Sequence, residues 1–232
     1  NLLLRLPNAY PNLQPWIALG LGIHAFERWH AGSGQDTEVG EALADAFDQM
    51  VNPSWKAAIA VALGLAWCRE AGYRIRDVMD ESESPTLRGY CAIALGYMRI
   101  FEAEDDLLTL LDRSVDIPDQ QVQVAIALGL MRDMAGTSKL LEALTKDSMT
   151  LTAQAGLAIG LGLNCDHRAV KPLVDLLLDG GLAPRKRAFA AAALGLMGDR
   201  EVLPWNARIG FGLNYLAGTE TLNGFPAGPL SR

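Results

Sequence analysis

Apolar and polar positions along this chain fall into blocks that return with a fixed period. The clearest block is residues 184–199, PRKRAFAAAALGLMGD, where a basic first turn leads into an alanine-rich run closed by Leu-Gly. The step Leu194-Gly195 lies 33 residues after Leu161-Gly162, which lies 33 after Leu128-Gly129. That pair lies 33 after Leu95-Gly96, and Leu63-Gly64 is 32 residues earlier. Eleven residues before each glycine stands a helix-start position: Pro53, Pro85, Pro118, Leu151 and Pro184. Proline suits the first helical position because its missing N–H would have no partner there. A period in this range is the mark of stacked structural repeats.

Within each period a second apolar segment keeps the same phase. Leu107, Leu140 and Leu173 correspond, as do Leu108, Leu141 and Val174, and Leu111, Leu144 and Leu177. Two helices per repeat in fixed register predict a stack in which each apolar face packs on the equivalent face of its neighbour. Glycine costs about 1 kcal/mol relative to alanine inside a helix. Its return at matched places therefore predicts backbone-to-backbone approach. Ala18-Leu19-Gly20 is taken as the first such step, leading a helix within residues 8–30. Its distance from Gly64 exceeds the period by eleven residues, and the excess is assigned to an enlarged loop, residues 30–40, HAGSGQDTEVG. A second helix is then expected over residues 41–50. Residues 1–6, NLLLRL, read as the tail of a preceding helix. Asp166 and Asp199, four residues past their glycines, are candidate caps of the next helix; Asp133 has the same place, with Thr137 or Ser138 as alternatives.

The pattern breaks after Pro204. Trp205, Ala207, Ile209, Phe211, Leu213 and Tyr215 alternate with Asn, Arg and Gly, the period of a half-buried strand. Residues 204–232 are expected to form an extended C-terminal cap and tail, with residues 1–203 forming about six helix pairs. The fold expected is all-α, a right-handed α-α superhelix. The alternating segment either covers the open end of the stack or offers Trp205, Arg208, Phe211 and Tyr215 to a partner.

Composition narrows the function classes. Half of the 232 residues are hydrophobic, so the chain can bury a core, and no apolar run reaches the length of a membrane span. Net charge is −7 and the isoelectric point about 5.0, against the basic balance of proteins that grip nucleic acid. Cys68, Cys91 and Cys165 are odd in number and far apart, and read as small buried or half-buried residues. This usage suits a reducing compartment and a cytoplasmic location. The chain begins at Asn1, which reads as processed, trimmed, or part of a longer protein.

Candidate chemistry is sparse. His24, Glu27 and His30 in HAFERWH are spread over about 120° of helix, without the i, i+4 histidine pair of a zinc helix. His167, just after Asp166, reads as a surface residue. GLGLN, residues 160–164, follows no strand and lacks the ending of a phosphate loop. Arg185, Lys186 and Arg187 form the one dense basic run. Cations at a helix start oppose the helix dipole, so this run is a candidate contact for an acidic partner. No catalytic, metal or cofactor residue is assigned.

Proline at the first helical position, the Ala-Leu-Gly step, the Gly-Asp turn and a leucine-rich second helix together resemble HEAT repeats. ALGLMGDREVL, residues 193–203, resembles the short HEAT-like repeats of phycobilisome lyases. The resemblance spans residues 12–203. It implies a curved stack of helix pairs whose second helices line a concave binding face. The iron-binding HEAT-repeat hydroxylases carry His-Glu pairs, and this chain has none. The HEAT-like DNA glycosylases carry a basic groove, which this composition does not suggest. The function expected is therefore a non-catalytic scaffold or adaptor that binds protein partners, as a domain or subunit of an oligomer or larger assembly. The alternative is a bilin-lyase-type enzyme or enzyme subunit.

Overall fold

A computed structural model describes residues 2–132, 134–146 and 150–198. All regular structure among them is helical. A single turn, α1 (Leu2–Arg5), precedes α2 (Gln14–His30) and α3 (Thr37–Gln49). Four further pairs follow: α4 (Pro53–Leu65) with α5 (Gly72–Glu81), α6 (Pro85–Met98) with α7 (Glu104–Arg113), α8 (Pro118–Met131) with α9 (Met134–Thr145), and α10 (Leu151–Asn164) with α11 (Val170–Leu178). The series ends on α12 (Pro184–Gly198). The chain is thus an all-α repeat superhelix. The expected extended segment, with Trp205, Arg208, Phe211 and Tyr215, lies outside the described residues.

The local chemistry explains where the leading helices begin. Each of the five helix-start positions named from the sequence opens its helix. Asn52 accepts from the Ser54 and Trp55 amides, Ser84 from Leu87, and Thr150 from Ala153. Each of these side chains satisfies amide donors that the first turn leaves without partners. Asp166 caps a short 3-10 turn, His167–Ala169, by accepting from the Arg168 amide. Thr137 and Ser138 lie inside α9 rather than at its start.

The leading helices α2, α4, α6, α8, α10 and α12 pack on one another in chain order, and each second helix packs on the leading helix that follows it. The matched leucines are the seam between the rows: Leu107, Leu111, Leu140, Leu144 and Leu173 are fully buried.

The first repeat departs from the expected register. A methyl group placed on Gly22 would stand 2.7 Å from the Ala62 carbonyl oxygen, whereas on Gly20 it would meet only Leu2 Cδ1 at 3.9 Å. Gly22, not Gly20, is therefore the equivalent of Gly64. The extra length is also mostly helix rather than loop. α2 has 17 residues where α4 has 13, and α3 has 13 where α5 has 10. The connection shrinks to residues 31–36. There Gly32 and Gly34 take positive φ, and Asp36 caps α3 by accepting from Val39. Gly40 is drawn into α3 because it packs on Cys68, whose Sγ would lie 3.1 Å from a methyl placed there.

Candidate functional site

The two rows are held by different contacts, and the difference locates the inner face of the stack. A methyl on Gly96 would stand 2.6 Å from the Ala127 oxygen, and one on Gly129 would stand 2.2 Å from the Gly160 oxygen. Gly64 meets the Ala94 backbone in the same way. Successive second helices are bridged instead by long charged side chains. Arg74 reaches Asp48 at 2.8 Å, Arg76 reaches Asp106 at 2.5 Å, and Lys139 reaches Asp112 at 3.5 Å. A stack bends toward the row whose members sit closer together. The leading helices therefore line the inside of the bend. The HEAT-like resemblance implied the reverse, with the second helices on the inner face; the close backbone contacts of the leading row argue against that assignment.

The exposed edge of each leading helix follows the i, i+4, i+7, i+11 positions of one helical face. In α6 these are Thr86, Tyr90, Ile93 and Tyr97; in α8, Asp119, Gln123, Ile126 and Leu130. α10 adds Ile159 and Leu163, and α12 adds Phe189 and Leu196. Thr86 and Asp119 at the rim are exposed, Ile93 and Ile126 are buried, and the remainder are half-buried. Burial pushes the Tyr97 phenol up to about 12. The middle of this face is uncharged and, Gln123 apart, apolar, and among the residues named charge sits at its rims.

One rim is built from strained backbone. Three residues past each packing glycine of α4, α6, α8 and α10 the chain takes the left-handed conformation, at Trp67 (φ 56°), Arg99 (51°), Arg132 (58°) and Cys165 (55°). Glycine is the usual residue at this place in a helix terminus, and a side chain there costs roughly 1–2 kcal/mol. The equivalent residue of α12 is Gly198. Trp67 stacks on Trp29 of the extended α2, with centroids 4.9 Å apart and planes at 15°. The Arg99 guanidinium lies over the Trp67 ring, 5.9 Å from its centroid. Burial, and then the neighbouring Arg132 charge, hold the Arg99 pKa below the usual guanidinium range.

The sequence-assigned basic run does not stay together as a surface patch. Arg185 is exposed. Lys186 is 8% exposed and donates from Nζ to the Thr145 carbonyl at 2.8 Å, and Arg187 donates from Nε to Leu177 O at 2.9 Å. Two of the three cations therefore tie α12 to the ends of α9 and α11. His24, Glu27 and His30 are all exposed, and His30 Nδ1 lies 3.0 Å from the Phe26 carbonyl. Among the described residues no group of three or more His, Cys, Asp or Glu side chains is placed to hold a metal ion, and no helix is long and apolar enough to cross a membrane.

The cysteines sit in the repeat seams. Burial pushes the Cys91 thiol up to about 12. Cys68 is buried and its thiol is also raised, first by burial and further by the Glu70 carboxylate. It borders a pocket of about 280 Å³ lined by Glu41, Asp45, Glu70 and Arg74. A thiol held protonated beside carboxylates is a poor nucleophile. Cys165 is half-buried, and its Sγ donates to the Gly162 carbonyl at 3.1 Å.

No protein-family model matches the chain, and no curated protein sequence matches it.

Proposed function

We propose that this chain is a HEAT-type repeat scaffold that binds another protein along the inner face of its leading helices. The observation that supports the reading is the uncharged band from Tyr90 and Tyr97 through Leu130, Ile159 and Leu163 to Phe189, apolar except for Gln123 and flanked by charged rims. A half-exposed aromatic and aliphatic centre with a polar border is the anatomy of a protein-binding surface. The tight glycine contacts beneath it make the surface stiff, so little ordering entropy opposes binding. The proline starts and Ala-Leu-Gly steps support the repeat type. The acidic balance of the chain favours a protein over a nucleic acid as partner.

The test is affinity capture with the intact chain, read by mass spectrometry and an absorbance scan, beside Leu130→Glu and Tyr97→Glu. A protein recovered in stoichiometric amount by the wild type and lost from both variants supports the scaffold. Recovery of a chromophore with no protein partner sinks the reading and moves the bilin-lyase alternative to the front.

A further inference from the structure

The pocket beside Cys68 lies between the second helices of the first two repeats, on the outer row and apart from the inner face. Gly40 and Ala44 of α3 and Ala71 of the 3-10 turn Arg69–Ala71 line it with small apolar groups. Glu41 and Asp45 of α3 and Glu70 of the turn line it with carboxylates, and all three residues are exposed, so the pocket opens to solvent. Its two sides are tied by Gln35, which donates from Nε2 to the Trp67 carbonyl at 3.1 Å, and by Arg74, which reaches Asp48 at 2.8 Å. Its volume of about 280 Å³ is at the small end of pockets that hold organic ligands, about 300–1,000 Å³.

The next seam of the outer row has the same place filled. The buried pairs Leu43 and Phe47, Ile75 and Met79, and Leu107 and Leu111 set α3, α5 and α7 in register at a spacing of 32 residues. In this register Ala44 of α3 corresponds to Arg76 of α5, Asp45 to Asp77 and Asp48 to Asp80. Between α5 and α7 the Arg76 guanidinium bridges the seam and donates to Asp106 at 2.5 Å. Between α3 and α5 the same place carries only the Ala44 methyl, and Ala44 lines the pocket. Helix α3 holds Glu38, Glu41, Asp45 and Asp48 and no lysine or arginine, so it has no cation of its own to put there. Arg74 stands where α7 has Asp106, and its guanidinium is turned to Asp48.

We infer that this pocket is a binding site for a guanidinium group on an aliphatic stem, which takes between α3 and α5 the place that Arg76 takes between α5 and α7. A guanidinium presents five donors in a rigid fork and serves several carboxylates at once, and charge-assisted bonds of this kind are the strong ones. The stem lies on Gly40, Ala44 and Ala71, as the stems of long cationic side chains lie on apolar surface. An ammonium is a point charge without the fork, so it binds more weakly. The carboxylates are spread too widely for a metal ion: among the described residues no three such groups are placed to hold one. The group comes from an arginine side chain of a protein partner or from a free guanidinium compound, and the chemistry of the site is the same for both.

The experiment titrates the intact, isotope-labelled chain at low salt with N-acetyl-arginine amide, its neutral isostere N-acetyl-citrulline amide, N-acetyl-lysine amide, calcium chloride, and a peptide with one arginine among glycines and serines. Binding is read from the amide resonances of Gly40, Ala44 and Ala71, folding by circular dichroism and thermal melting. The arginine amide is expected to shift these resonances to saturation, the citrulline amide to leave them in place, and the lysine amide to bind at least threefold more weakly. D45N/E70Q is expected to bind the arginine amide at least tenfold more weakly, and E142Q, which alters an exposed carboxylate on α9, within twofold of wild type. A44R puts into α3 the side chain that α5 carries at the equivalent place. It is expected to abolish binding and to melt higher than wild type, by a margin that shrinks at high salt. Absent arginine binding, equal shifts with the citrulline amide, or undiminished binding to D45N/E70Q overturns the inference, as does an A44R chain that still binds or melts lower than wild type. Calcium binding at these resonances more tightly than the arginine amide overturns the ligand class. Given the expected arginine binding, a peptide at least tenfold tighter than the arginine amide assigns the group to a protein partner, and equal affinities assign it to a free compound.

Discussion

The closest backbone approach met by a glycine of the inner row is between α8 and α10, and Gly129→Ala tests it directly. A methyl at Gly129 would lie 2.2 Å from the Gly160 oxygen and 2.8 Å from its carbonyl carbon, and one at Gly160 would lie 2.3 Å from the Ala125 oxygen. Ordinary contact begins near 3.4 Å, so the helices must part by about 1 Å. The obstruction is backbone, which cannot rotate away as a side chain would. Overpacking of this kind costs about 1–3 kcal/mol, against a gain of about 1 kcal/mol from replacing a helical glycine by alanine. The net expectation is a loss of up to about 2 kcal/mol. Gly20→Ala supplies the opposite case. It makes the same helix-propensity gain, and its methyl meets only Leu2 Cδ1 at 3.9 Å, so it is expected to stabilise by about 1 kcal/mol. Urea unfolding followed by circular dichroism at 222 nm separates the two, with the wild-type midpoint between theirs. A Gly129→Ala midpoint at or above wild type, with helical content intact, would refute backbone contact in the inner row. The assignment of the inner face would fall with it.

Three other expectations follow from single sites. Arg168, through its side-chain hydrogen bonds and then its amide, with the Thr137 hydroxyl adding to them, holds the Asp166 carboxyl well below the usual carboxylate range. A depressed carboxylate stabilises the fold above its unfolded pKa, about 3.9, and that stability is lost as pH falls through the folded value. Asp166→Asn should therefore lower the melting temperature at pH 6, and the gap to wild type should shrink between pH 4 and pH 2; a gap that does not change with pH contradicts the assignment. Thiol titration with a disulfide reagent at pH 8 should label Cys165 first and leave Cys68 and Cys91 unreacted until unfolding, because Cys165 alone is half-exposed; early labelling of Cys91 would refute its place in the core. Gln121 is 1% exposed, and neither atom of its amide has a partner. Gln121→Met keeps the shape and removes the polar group, and should raise stability by about 1 kcal/mol in urea unfolding; a loss would show that the amide is satisfied.

Much of the fold was legible because it depends on local rules that repeat. Proline, capping residues and the Leu-Gly step are visible in any single period, and five helix starts agree with them to the residue. The first repeat failed because ALGLGI contains two Leu-Gly steps two residues apart, and only the partner helix decides which one is packed. The stretch at residues 30–40 looked like loop because its three glycines are poor helix formers. Two of them do take loop conformations, while the third is held in α3 by its contact with Cys68. Adjacency of residues 185–187 in sequence does not make them adjacent on the surface. Burial of Lys186 depends on the Thr145 carbonyl, 41 residues earlier. The left-handed rim carried a signal that was available. Trp67, Arg99, Arg132 and Cys165 keep the same offset from their glycines, but they share position and not residue type. A search for repeated identities passes over them.

The contrast between the rows also bears on how the proposed scaffold would meet a partner. The inner row is closed by backbone contacts that are lost almost entirely if the helices part, so its spacing is narrowly set. The outer row is joined by exposed ion pairs such as Arg74 with Asp48 and Lys139 with Asp112. Such pairs are worth at most about 1 kcal/mol each and are screened by salt. Strain imposed on the stack is therefore absorbed by the outer row, where charged side chains can reach further or let go, while the inner row acts as the fixed line about which the helices turn. A binding face on the outer row would change its spacing with every such motion. A face on the inner row keeps Tyr90, Tyr97, Leu130 and Ile159 at nearly constant separation, and it is there that the uncharged band is found.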